Sequence, residues 1–89
     1  MSKFIARVQL HKADETDYET LNREIEKDPA VKKNKKLAAR AAMIKKGEYN
    51  YRGNITLKEV ADAVIRAIKK TGRDYSFTVM KTKPLYNEG

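Results

Sequence analysis

From Lys3 to Leu10 the chain alternates: Phe4, Ala6, Val8 and Leu10 fall on one side of an extended backbone, and Ile5, Arg7, Gln9 and His11 on the other. Period two with one apolar side predicts a strand buried on one face. The acidic, turn-like "KADETD" follows, and acids are favoured where a helix begins, because its first amide groups are unpartnered. Tyr18, Leu21 and Ile25 then recur at helical spacing while Glu19, Asn22, Arg23 and Glu26 occupy the other side, which predicts an amphipathic helix. "KDPA" stops it, since the residue before Pro29 avoids the helical region and Pro29 has no amide to donate.

In the second half, "NITLKEVADAVIRAIKKTG" places Thr56 three residues before Glu59, the spacing of a capping box. Leu57, Val60, Ala61, Val64, Ala67 and Ile68 predict the buried stripe of this helix, with Lys69, Lys70 and Gly72 closing it. "RDYSFTVMKT" returns to period two: Tyr75, Phe77 and Val79 share one side, Ser76, Thr78 and Met80 the other. That is a closing strand.

The segment between admits two readings. Residues 34–46 could be helical, with Asn34 as cap and Gly47 as terminator, because Ala, Leu, Lys and Arg are good helix formers. Alternatively Leu37, Ala39, Ala41 and Met43 lie along one side of a strand, "KKGE" turns the chain, and Tyr49 and Tyr51 share a face of the returning strand. Strand pairing favours the hairpin, because a helix would leave the residues around Tyr49 without a strand partner. The expected fold is then α+β: a ferredoxin-like βαββαβ chain with an antiparallel sheet and two helices on one face. Residues 1–89 read as a single domain, with 82–89 as a flexible tail or a dimer arm.

Composition narrows the picture. A chain of 89 residues with 40% hydrophobic residues, two Phe and no Trp makes a thin core, which self-association would thicken, so a homodimer is expected. There is no Cys, hence no disulfide or thiolate metal site. The longest apolar run, Ala41–Ile44, falls far short of a membrane span, and the N-terminus lacks the apolar core of a signal peptide, so a cytoplasmic location and no membrane partner are expected.

The net charge of +8 is unevenly spread. Met1–Asp28 holds five Lys or Arg against seven Asp or Glu, whereas Lys32–Lys46 holds seven basic residues and no acid. Such a block is what a surface facing RNA or another polyanion requires, although a lysine-rich stretch also serves as a solvated face. Lys32, Lys33, Lys35, Lys36, Arg40, Lys45, Lys46 and Arg52 are the candidate phosphate contacts. Tyr49 and Tyr51 are candidates for base stacking if they face outward, and core or interface residues if they face inward. No Gly-rich phosphate cradle, HExxH or GxSxG pattern occurs, and neither a metal nor a cofactor is expected.

Three stretches, "FIARVQLHKADETDYETLN", "GEYNYRGNIT" and "KKTGRDYSFTV", together resemble small bacterial ferredoxin-like proteins similar to the GhoS-type antitoxin of type V toxin–antitoxin systems. The likeness covers both ends of the chain and is weakest between Lys27 and Lys46. It implies an endoribonuclease acting on the messenger of a membrane-directed toxin, on a dimeric scaffold shared with small CRISPR-associated nucleases. Where those nucleases carry a carboxylate at the end of the first strand, this chain has His11, with Asp14 three residues on. His11 and Asp14 are therefore the candidate catalytic residues, His11 as a metal-free acid or base. Each has a plain alternative: an exposed strand-end side chain for His11, and a helix-start residue for Asp14. The competing functional reading is a non-enzymatic dimeric module that binds a protein partner.

Overall fold

Strand β1 (Ser2–Leu10) buries Phe4, Ala6, Val8 and Leu10 and turns Lys3, Arg7 and Gln9 to solvent, as its alternation dictates. The computed structural model describes residues 2–29, 40–53 and 55–82. Helix α1 (Glu15–Lys27) follows. Asp14 is its N-cap: the Asp17 amide donates to Asp14 Oδ1 at 3.2 Å, and the Asp14 amide donates to Asp17 Oδ2 at 3.1 Å. Each carboxylate thus satisfies one otherwise unpartnered amide of the first turn. Leu21 and Ile25 are buried and Tyr18 is half-buried, so the expected stripe faces the sheet.

The middle of the chain is a hairpin from Arg40 onward. Strands β2 (Arg40–Lys45) and β3 (Glu48–Gly53) pair antiparallel, with Ala41 opposite Tyr51 and Met43 opposite Tyr49. Local helix propensity gives way because the two strands complete the sheet and give the residues around Tyr49 a pairing partner. Residues 34–39 of the alternative helix lie outside the described residues. So do Lys32, Lys33, Lys35 and Lys36, and residues 83–89 of the expected tail.

Helix α2 (Leu57–Lys69) has the foreseen capping box: the Glu59 amide donates to Thr56 Oγ1 at 3.1 Å, and the Thr56 amide donates to Glu59 Oε1 at 2.9 Å. Val60, Ala63, Val64, Ala67 and Ile68 are buried; Leu57, expected in the stripe, stands half-exposed in the first turn. Gly72 adopts φ +72° just past the helix, and β4 (Tyr75–Lys81) closes the fold.

The four strands form one antiparallel sheet in the order β2-β3-β1-β4, and the elements run β-α-β-β-α-β: the ferredoxin-like α+β arrangement. The core lies between the helices and one sheet face, with Phe4, Tyr49, Tyr51, Leu21, Ile25, Val60, Val64 and Ile68 at its centre. The two helices are tied by a bidentate pair in which Arg66 Nε and Nη2 donate to the buried Asp28 carboxylate at 3.0 and 2.8 Å. No helix among the described residues is long and apolar enough to cross a membrane.

Candidate nucleic-acid interface

The sheet face opposite the helices is open, and strand pairing decides which residues meet there. Ladder register aligns Arg40 with Arg52 and Arg52 with Lys3, so the three positions form one row across β2, β3 and β1. The next row is Ala42, Asn50, Ile5 and Met80, followed by Glu48, Arg7 and Thr78, then Gln9 and Ser76.

The Val8 amide donates to Gly47 O at 2.7 Å, so Val8 and its alternate neighbours are the hydrogen-bonded positions of β1 against β3. Lys3 and Arg52 are consequently a non-hydrogen-bonded pair, the geometry in which facing side chains approach most closely. Like charges placed directly opposite destabilise a sheet. Neither Lys3 nor Arg52 has an ion-pair partner among the described residues, and both are exposed.

The other candidate cations fare differently. Lys46 reaches back to α1, with Nζ 3.4 Å from Glu15 Oε1 and 5.1 Å from the centre of the Tyr18 ring. Lys45 is exposed at the end of β2, opposite Glu48 in the ladder. Glu48 also receives Arg7 Nε at 2.9 Å, so it screens that part of the face. Of the described lysines in this segment, Lys46 is thus drawn to α1 and Lys45 faces Glu48, and the uncompensated end of the sheet depends on Lys3, which charge counting along the chain passes over. No local signal marks it, because the pairing of Lys3 with Arg52 is decided by the sheet.

Tyr49 and Tyr51 correct the base-stacking expectation. Their side chains are 1% and 0% exposed and lie under the helices, so neither offers a ring face to a base. The Tyr49 hydroxyl donates to Asn22 Oδ1, while the Tyr51 hydroxyl has no hydrogen-bond partner among the described residues. Burial raises the pKa of both phenols well above the ordinary tyrosine range. Four-stranded sheets that read single-stranded RNA stack bases on aromatic residues of the open face. Here the described open-face positions of β1, β3 and β4 are Lys3, Ile5, Arg7, Gln9, Glu48, Asn50, Arg52, Ser76, Thr78 and Met80, none of them aromatic.

His11 is exposed just beyond β1, its amide donating to Asp74 O at 2.8 Å and its Nε2 3.1 Å from Ser76 Oγ. A shallow depression of about 250 Å³ lies beside it, lined by Arg7, Gln9, Ser76 and Thr78 among others. Asp14 is engaged as the α1 cap. Among the described residues no three His, Asp or Glu side chains gather as a metal site would require. No protein-family model, curated protein or solved structure matches this chain.

Proposed function

We propose that this protein associates with RNA through its phosphate backbone, using the basic end of the open sheet face. The observation carrying this reading is the direct opposition of Lys3 and Arg52, with Arg40 next in register and no acid between them. Such a row costs stability in the free protein, and an anion lying across it offsets that cost. In sequence, Lys32, Lys33, Lys35 and Lys36 immediately precede Arg40 and add positive charge to the segment that leads into β2. Phosphate contacts position a nucleic acid without reading it, so the reading is of binding with little sequence preference.

Binding of a labelled RNA should weaken steeply as salt rises, because each phosphate contact releases a counterion. Arg52→Glu and Lys3→Glu should each lower affinity and reduce the slope of log affinity against log salt by about one. Lys58→Glu, on α2 and paired with Asp62 in the native chain, should leave both unchanged. Equal effects from all three substitutions, or binding indifferent to salt, would remove this reading and leave a non-enzymatic protein-interaction module.

A second reading, a GhoS-like endoribonuclease antitoxin acting on a toxin messenger, attaches to His11. The supporting observation is that His11 Nε2 is held by a hydroxyl at the edge of an open-face depression, where an imidazole could exchange protons with a bound ribose. Cleavage that persists undiminished in His11→Ala rules out this role for the imidazole.

A further inference from the structure

The two edges of the sheet are unequally protected. β2 carries Arg40 and Lys45 at its ends, and its register shifts between Met43 and Lys45, so that edge has both charge and a bulge against further pairing. β4 has neither. Tyr75–Met80 contains no charged residue and no Pro, is rich in aromatic and β-branched residues, and pairs with β1 without a break from Tyr75 to Lys81. Tyr75 and Met80 are about 40% exposed, and Phe77 and Val79 are only half-buried where their β1 neighbours Ala6 and Val8 are buried.

The direction of the unused backbone groups follows from the ladder. His11 donates to Asp74 O and the Thr82 amide donates to Lys3 O, so Asp74, Thr82 and the alternate residues between them face β1. Tyr75, Phe77, Val79 and Lys81 therefore turn their N–H and C=O groups to the outer edge, beyond which no other described strand lies.

We infer that β4 pairs antiparallel with β4 of a second copy of this chain, about a two-fold axis at Thr78, joining two four-stranded sheets into one continuous sheet. The strand is self-complementary in this register. Thr78 is the midpoint of Tyr75–Lys81, so every outward N–H and C=O finds a partner: Phe77 with Val79 of the second copy, and Tyr75 with its Lys81. No two like charges meet within the strand, and Lys81 lies across from an aromatic ring. Phe77 and Val79 then cover one another on the helix side. This inference is independent of the RNA reading, since β4 lies at the opposite edge of the sheet from Arg40.

Sedimentation of the full chain over a range of concentrations, with amide exchange followed residue by residue, tests it. The mass should approach twice 10.2 kDa, and the Phe77 and Val79 amides should gain protection with concentration while the Ser76 and Thr78 amides stay protected throughout. Thr78→Lys and Thr78→Glu place like charges at the axis on the exposed open face. Each alone should raise the dissociation constant by up to about fivefold, and mixing the two should restore dimerisation beyond either. Unchanged circular dichroism shows that both fold. A monomer at every soluble concentration overturns the inference, as does concentration-independent protection of Phe77 and Val79, which would mean that the chain covers its own edge. A dimer that leaves those amides unprotected and ignores Thr78 also overturns it.

Discussion

Gly47 shows how much one backbone position can carry. It sits in the β2–β3 turn at φ +79°, buried, and a Cβ added there would lie 2.5 Å from the carbonyl oxygen of Val8. Both the left-handed conformation and the closeness of β1 exclude a side chain. Gly47→Ala should destabilise the protein by roughly 1–3 kcal/mol or more, measured by urea unfolding. The two core tyrosines offer a sharper contrast. Tyr49 donates to Asn22, whereas the Tyr51 hydroxyl is buried with no partner among the described residues. Tyr49→Phe should cost about 1 kcal/mol, while Tyr51→Phe should be neutral or mildly stabilising, because it removes a polar group that gains nothing from burial. An equal loss from both would contradict this assignment of partners.

At the level of elements, both helices begin with reciprocal caps. Asp14 with Asp17, and Thr56 with Glu59, each satisfy two amides that the helix itself cannot. Thr56→Ala should lower stability by about 1 kcal/mol, visible as a shift in the urea midpoint without a change in slope. Asp17 also binds Arg73 Nε at 2.9 Å, joining the first turn of α1 to the loop before β4. The hydrogen bond from the Asp14 backbone amide, with a further contribution from Arg73, holds the Asp17 carboxyl below the ordinary aspartate value. That contribution to stability is present above the ordinary range and fades as pH falls through the lowered value.

For the molecule as a whole, the buried phenols set an alkaline limit. Burial holds Tyr49 and Tyr51 protonated beyond the ordinary tyrosine pKa of about 10, which they regain on unfolding. Below that value both states keep the proton and stability is unaffected; above it the unfolded state loses protons that the folded state retains, so stability falls as pH rises. In an alkaline titration, part of the phenolate absorbance should appear only together with loss of the helical circular dichroism signal, and Tyr49→Phe/Tyr51→Phe should lack that part. Ionisation of these two phenols in the intact fold would contradict their burial.

The first and last strands, the two helices, the Thr56 cap, the faces of β1 and β4 and the α1 stripe were determined by the sequence alone, because periodicity and capping act over a few neighbouring residues. Whether the chain after Arg40 is helix or strand was left open locally, since alanine and lysine favour the helix while the sheet needs the strand. The direction of Tyr49 and Tyr51 was equally undecided, because a period-two pattern says that they share a face but not which one. Only tertiary structure brought Lys3 beside Arg52 and drew Lys46 away to Glu15, since those meetings join opposite parts of the chain through ladder register and helix packing. It also made β4 an edge, a property that belongs to strand order and leaves no trace in the strand's own residues.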